Sequence, residues 1–220
     1  MSIISIISER CKACYACIRN CPVKAIKVED GKSRVVEERC ISCGSCVRVC
    51  SQNAKAIISD VDKVTEFLRS AKTIALIAPS FPASFPGINS GEIFDALEKL
   101  GFFAVHEATL GVEATLPHYR KLVEQTDEMV ISSFCPAIVS LIEKYYPHLV
   151  PSLAPVDSAV IAAGKVLRYH YQEAKLVFIG PCIAKKHEVR THGANSIDAV
   201  LTFKELKQML TQSGISLKAI

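Results

Sequence analysis

Eight of the ten cysteines lie between residues 11 and 50, where they form two copies of one motif. Each copy has the spacing C-x-x-C-x-x-C-x-x-x-C, and the second copy follows the first at an offset of 29 residues, from Cys11 to Cys40. A repeat with a fixed period predicts two structurally equivalent halves. The cysteines of the first copy are Cys11, Cys14, Cys17 and Cys21, and those of the second are Cys40, Cys43, Cys46 and Cys50.

The cysteine spacing is typical of a site that binds iron–sulfur cubes. Three cysteines separated by two residues can reach three corners of one cube, and the fourth points away and reaches a second cube. Zinc usually takes two C-x-x-C pairs with a long spacer, and disulfide scaffolds are typical of short secreted chains, so both alternatives fit less well. The predicted ligand sets are Cys11, Cys14, Cys17 with Cys50, and Cys40, Cys43, Cys46 with Cys21.

The cellular setting is also predicted from the sequence. Residues 1–10 lack the basic and apolar regions of a secretory signal, which favours a reducing compartment and a cytoplasmic location. The longest uncharged run, residues 73–91, contains three prolines and is a poor candidate for a membrane span.

The net charge of +4 belongs entirely to the cysteine-rich segment, residues 1–60. This segment has ten Lys and Arg against six Asp and Glu, whereas residues 61–220 have sixteen of each. Two oxidised clusters with four thiolates each carry a charge of about −4, which would offset the excess. A solvated basic face is the simpler alternative, and no pattern indicates nucleic-acid binding.

Residues 3–60 resemble a bacterial two-cluster ferredoxin. Pro22 after Cys21 matches the pattern of that family, whereas Ser51 after Cys50 departs from it. The resemblance implies two 4Fe–4S clusters that pass single electrons, so we expect a first domain at residues 1–60.

The remainder of the chain alternates short apolar runs with amphipathic stretches. We expect a connecting helix at residues 61–71 and a second domain at residues 72–220. The predicted strands are 73–78, 102–106, 128–132 and 175–179, and the predicted helices are 91–100, 113–124, 136–146, 157–171 and 203–212. The expected fold class is therefore an α+β ferredoxin-like two-cluster module followed by an α/β domain with a mostly parallel sheet.

Ligands of such sheets bind beyond the carboxyl ends of the strands, where three segments are expected. Ala78 and Pro79 follow the first predicted strand, Cys135 follows the third and Cys182 follows the fourth. We therefore expect Cys135 and Cys182 to face one pocket. Burial as structural cysteines is the alternative for both.

Two segments resemble motifs of the FeFe hydrogenases. Ser132-Ser133-Phe134-Cys135-Pro136, followed by residues 142–147, is similar to T-S-C-C-P with a downstream E-K-F-Y-P. Residues 180–188, with the sequence G-P-C-I-A-K-K-H-E, are similar to M-P-C-T-A-K-K-x-E. The resemblance covers residues 72–220, and in that family four cysteines hold a 4Fe–4S cube joined to a two-iron site that makes or splits hydrogen.

The resemblance implies roles for six residues. Cys135 and Cys182 match ligands of the cube, Lys185 matches the lysine that contacts a cyanide of the two-iron site, and Glu188 matches a glutamate of the proton path. Ala78 and Pro79 match backbone near the two-iron site. For Lys185 and Glu188, a surface pair three residues apart is the alternative.

The chain departs from the hydrogenase pattern in two respects. Phe134 replaces the relay cysteine and cannot exchange a proton. The third motif, which supplies the other two cube ligands, is absent, so we expect a fragment, a site completed by another polypeptide, or a domain without the third cube and two-iron site.

Three functions fit these features. The first is an electron-transfer protein related to the hydrogenase catalytic subunit, inactive or inefficient in hydrogen turnover as this chain. The second is a hydrogen or redox sensor module of a signalling protein, and the third is a plain electron carrier. A redox protein or a downstream domain is the expected partner, with hydrogen or protons implied by the resemblance, and no nucleic acid or membrane.

Overall fold

A computed structural model describes residues 3–193 and 195–217 of the chain. The strands are β1 Ile4–Ile6, β2 Ile26–Glu29, β3 Lys32–Val35, β4 Lys55–Ile57, β5 Thr73–Ile77, β6 Ala104–Glu107, β7 Lys175–Gly180 and β8 Ala199–Thr202. The helices are α1 Ala16–Arg19, α2 Ser45–Arg48, α3 Val61–Ser70, α4 Ser90–Leu100, α5 Thr109–Glu124, α6 Pro136–Tyr145, α7 Ala159–His170, α8 Ala184–His192 and α9 Phe203–Gln212.

The cysteine-rich segment contains two antiparallel strand pairs related by the sequence repeat. β1 pairs with β4, where Ile4 lies opposite Ile57, and β2 pairs with β3, where Ile26 lies opposite Val35. The offset of 29 residues maps Ile4 onto Ser33 and therefore β1 onto β3, so the predicted equivalence of the two halves is confirmed. Each half also contributes one short helix, α1 or α2, which contains its third cysteine.

Four parallel strands form the sheet of the second part, in the order β6-β5-β7-β8. All five residues of β5 are buried, as are five of the six in β7, because these central strands have neighbours on both sides and helices on their faces. The predicted class, a ferredoxin-like module followed by a mostly parallel α/β domain, is confirmed.

Helix packing in this part depends on one close approach. A Cβ atom on Gly111 of α5 would lie 1.7 Å from the backbone oxygen of Ala159 in α7, so only glycine allows these two helices to pack at this distance. Within the described residues, no helix combines the length and apolar character needed to cross a membrane.

The predicted strand at residues 128–132 is wrong. Only Ile131 forms a bridge there: its N–H donates to Ser152 O at 2.7 Å, and its carbonyl accepts from Ala154 N–H at 2.8 Å. The run of Met129, Val130 and Ile131 resembles a strand in composition, yet Met129 is 57% exposed, because the segment lies outside the sheet. β8 and α8 were not predicted.

Candidate metal centres and the sheet-edge site

The eight N-terminal cysteines line two cavities, four in each. The first, cavity A, is lined by Cys11, Cys14, Cys17 and Cys50. The second, cavity B, is lined by Cys21, Cys40, Cys43 and Cys46. In each cavity three cysteines come from one motif and the fourth comes from the other, which is the grouping expected from the spacing.

The backbone wraps both cavities in the same way. Three pairs of residues at the offset of 29 have left-handed backbone conformations, which allow tight turns around the cysteines: Ala13 and Ser42, Tyr15 and Gly44, and Lys24 and Asn53. Five of these six are not glycine, and each such residue stores about 1–3 kcal/mol of strain. Strain repeated at matching positions indicates that the surrounding structure holds these turns in place.

Backbone N–H groups donate to cysteine sulfurs at equivalent positions. Ala25 N–H donates to Cys21 Sγ and Ala54 N–H donates to Cys50 Sγ, both at 3.2 Å. Ser42 N–H also donates to Cys40 Sγ at 3.4 Å. Hydrogen bonds to sulfur stabilise a thiolate and are among the factors that set the potential of an iron–sulfur cluster.

The two cavities differ in polarity. Burial raises the pKa of the Cys46 thiol to about 12 and also raises the pKa of Cys40, both in cavity B. Hydrogen bonds from the backbone of Ser33 and Ala13 lower the pKa of Cys11 in cavity A. Cavity B is therefore the more apolar of the two, with Ile4, Val23, Ile26, Val35 and Ile41 in its lining.

The donor sets fit two 4Fe–4S clusters. All ten cysteines of the chain are free thiols, so the four around each cavity are available as ligands. Four thiolates per cavity are what a 4Fe–4S cube requires, and coordination to iron deprotonates even a thiol of raised pKa.

Part of the predicted second site lies at the carboxyl edge of the sheet. Ala78 N–H donates to Ile179 O at 2.8 Å, which fixes the Ala78-Pro79 turn beside the end of β7. Pro181 and Cys182 continue from β7 at the same edge. Ala78, Pro79 and Cys182 thus lie at one edge of the sheet, and their role there stays a prediction.

Cys135 does not follow a strand of the sheet, contrary to the prediction. It is the residue before α6 and is exposed. The preceding loop is held by Tyr119, whose hydroxyl accepts from Ser133 N–H at 3.0 Å and whose ring packs edge-on against Phe134 with centroids 5.1 Å apart.

Lys185 joins the two motif segments. Its Nζ donates to Phe134 O at 3.2 Å and to Glu188 Oε2 at 2.8 Å. The side chains of Lys185 and Glu188 are only 9% and 10% exposed, so the pair three residues apart exists but is not a surface pair. The ion pair lies within α8, and the hydrogen bond from Lys185 to Phe134 O is the contact that joins α8 to the loop before α6.

Lys186, which the sequence analysis did not single out, lies in a buried charge cluster. Its side chain is fully buried, and Nζ lies 3.2 Å from Asp60 Oδ2 and 3.1 Å from Glu205 Oε1. Arg190 lies 3.1 Å from the other oxygen of Asp60. This cluster connects the residue before α3 to α8 and α9. The second lysine of the A-K-K motif was the feature of the sequence that could have indicated it.

A large open cleft lies between α6, α7, α8 and the cysteine-rich segment. Its lining includes Glu37, Glu143, His187 and Glu188. Neither Cys135 nor Cys182 lines this cleft, so the cleft is not the shared pocket that the sequence analysis expected for these two cysteines.

The end of α6 and the start of α8 pack against the cysteine-rich segment. Tyr145 Oη shares its one hydrogen between Arg39 O at 2.7 Å and Val23 O at 3.1 Å, and Lys144 Nζ donates to Cys40 O at 2.6 Å. Ile183, next to Cys182, packs against Gly44 of cavity B. Cavity B is thus the one beside the sheet-edge site.

Two family models match the chain. Residues 71–220 match the model described as iron only hydrogenase large subunit, C-terminal domain, and residues 3–51 match the 4Fe-4S dicluster domain.

Curated relatives include proteins with different stated roles. The periplasmic [Fe] hydrogenase large subunit of Nitratidesulfovibrio vulgaris is 29% identical, with 96% of this chain and 58% of the relative covered. Iron hydrogenase 1 of Clostridium pasteurianum is 29% identical over 71% of this chain and 32% of its own length. The cytosolic Fe-S cluster assembly factor NAR1 of Yarrowia lipolytica is 31% identical over 62% of this chain and 33% of its own length. The chain thus spans between about a third and three fifths of each relative.

Proposed function

Because the chain belongs to the iron-only hydrogenase large subunit family, by its C-terminal domain, we propose that it is an electron-transfer protein that passes single electrons between two 4Fe–4S clusters and the sheet-edge site. In this proposal residues 1–60 form the two-cluster domain, residues 61–71 connect the domains, and residues 72–220 form the hydrogenase-like domain. The relatives named as hydrogenases and as an assembly factor share iron–sulfur chemistry rather than one activity.

The two four-cysteine cavities are the observation that carries this proposal. Cys11, Cys14, Cys17 and Cys50 would hold one cluster, and Cys21, Cys40, Cys43 and Cys46 the other. Each bound cluster would supply storage of one electron at low potential. The surrounding residues exclude water and donate hydrogen bonds to the sulfurs, as Ala25 and Ala54 do.

The contact between cavity B and the segment around Cys182 supports the proposed direction of electron transfer. Gly44 lies next to Cys43 in sequence and packs against Ile183, which lies next to Cys182. Electrons would therefore leave the cysteine-rich segment through cavity B. A redox protein or a further domain would exchange electrons at cavity A, and free thiols favour a reducing, cytoplasmic compartment.

Iron and sulfide analysis of anaerobically prepared protein tests the cluster assignment. We expect about eight irons and eight sulfides per chain. Fewer than about six irons would contradict it. Spectra of the reduced protein at low temperature should show two interacting paramagnetic clusters.

Residues 72–220 contribute two cysteines toward a cube site. Cys135 and Cys182 are two of the four cysteines that the family uses, and Phe134 stands at the relay position. Lys185 and Glu188 form a buried pair that could orient a ligand and hold a proton there. We expect little or no hydrogen evolution from this chain with a reduced dye, even after maturation with a two-iron cofactor; rapid turnover would contradict this.

Phe134 favours a hydrogen or redox sensor as the second candidate. Its ring packs against Tyr119 and offers no exchangeable proton. Such a site suits a protein that binds hydrogen or responds to it better than one that converts it rapidly. A spectral change under hydrogen without turnover would support the sensor, and the absence of any response would favour the plain electron carrier.

A further inference from the structure

The repeat is symmetric in its cysteines but not in its cations. Lys32 Nζ, on β3, donates to the backbone oxygen of Cys11 at 3.0 Å, beside cavity A. The offset of 29 residues maps Lys32 onto Ile3, which is fully buried and carries no charge. The repeat therefore places no lysine beside Cys40, the counterpart of Cys11.

Lys144 occupies the corresponding place beside cavity B. Its Nζ donates at 2.6 Å to the backbone oxygen of Cys40, which is the repeat counterpart of Cys11. It also donates to Glu37 O at 3.4 Å. Lys144 belongs to α6, so the hydrogenase-like part of the chain supplies the cation that the second motif lacks.

We propose that Lys144 is a tuning residue of the cluster held in cavity B, which raises its reduction potential when α6 is docked on the cysteine-rich segment. This inference rests on the proposed function, because it requires a cluster in each cavity. Reduction adds one negative charge to a cluster, so a nearby ammonium favours the reduced form. The apolar lining of cavity B opposes that charge, and Lys144 offsets the penalty.

A third cation does not account for the difference between the cavities. Lys55 is buried, donates to Ser33 O at 2.8 Å beside cavity A and also interacts electrostatically with Cys46 in cavity B. Lys55 thus acts on both halves, whereas Lys32 and Lys144 each serve one.

Redox titration of the intact chain, followed by electron paramagnetic resonance, tests the proposal. For Lys144→Met we expect the reduced-to-oxidised ratio of one cluster to fall about tenfold at a fixed solution potential. This change corresponds to a decrease of about 59 mV in the reduction potential of a one-electron couple. The other cluster should keep its potential. Lys32→Met should shift that other cluster instead, and the exposed Lys99→Met should shift neither.

Two further variants separate charge from docking. Lys144→Arg keeps the cation and should keep the potential. Tyr145→Phe removes the shared hydroxyl hydrogen bond at the same junction but no charge, and it should leave both potentials unchanged. An equal shift in Tyr145→Phe would assign the effect to docking and overturn the proposal.

Other outcomes overturn the proposal as well. For Lys144→Met, a shift in neither cluster, an equal shift in both, or a shift in the same cluster as Lys32→Met would each contradict it. Iron analysis of the unmodified chain comes first. Fewer than about six irons would refute the proposed function itself, whereas a full complement with no shift would refute only the role of Lys144.

Discussion

Gly44 and Ile183 lie in direct contact across the junction between the two parts of the chain. A Cβ atom built on Gly44 would lie 2.9 Å from Ile183 Cδ1 and 3.3 Å from Cγ1. The repeat counterpart of Gly44 is Tyr15, which is 42% exposed and has a φ of 59°, close to the 78° of Gly44. The backbone turn thus accepts a side chain, and the absence of one at Gly44 makes room for Ile183.

Gly44→Tyr is expected to loosen the junction without removing a cluster. The side chain of the repeat counterpart would clash with Ile183, and overpacking of this kind costs about 1–3 kcal/mol. Faster proteolytic cleavage near residues 58–62, with unchanged iron content, would be the expected result.

Ile183→Ala in the same chain provides the control for the junction. It should partly restore resistance to proteolysis, because it removes the atoms that clash. Equal cleavage of the single and double variants would show that the strain lies within the turn.

Each cavity takes its fourth cysteine from the other motif, and this grouping leads to a second prediction. Cys21→Ala and Cys43→Ala should disrupt the same cluster, that of cavity B, although Cys21 belongs to the first motif. Cys50→Ala and Cys14→Ala should disrupt the other cluster. Each variant should lose up to about four irons. The two variants that affect the same cavity should have matching spectra. A match between Cys21→Ala and Cys14→Ala would contradict the grouping.

Local spacing predicted the cysteine cavities well, because the motif and the backbone turns lie within the same short segments. The same reasoning failed at residues 128–132, where an apolar run pairs with Leu153 rather than entering the sheet. It also missed α8, whose buried face contains Lys185, Lys186 and Glu188. A helix that buries charges has no apolar stripe, so hydrophobic periodicity cannot reveal it.

Lys186→Met should destabilise the hydrogenase-like part of the chain by about 3–5 kcal/mol, because it leaves the carboxylate of Glu205 buried without its cation and leaves Asp60 with Arg190 alone. Urea denaturation followed by far-ultraviolet circular dichroism measures this change. The exposed Lys99→Met variant controls for the loss of a lysine and should change stability little.

Glu205→Gln in the Lys186→Met background tests whether the loss is a charge effect. Neutralising one carboxylate should recover part of the stability, so the two substitutions should not be additive. Strict additivity would indicate that packing of the Lys186 stem, rather than its charge, is what the cluster needs.

His187, in the cleft beside Lys144, makes the chain sensitive to pH. Burial lowers the pKa of His187 from its usual 6.5, and the positive charge of Lys144 lowers it further. The native state therefore binds fewer protons than the unfolded state between the lowered pKa and 6.5, so stability should fall as the pH falls through that window. His187→Gln should flatten this dependence, and the exposed His148→Gln variant controls for the substitution. In a nuclear magnetic resonance titration, Lys144→Met should raise the pKa of His187 toward 6.5; an unchanged or lower value would show that Lys144 does not act on this side chain.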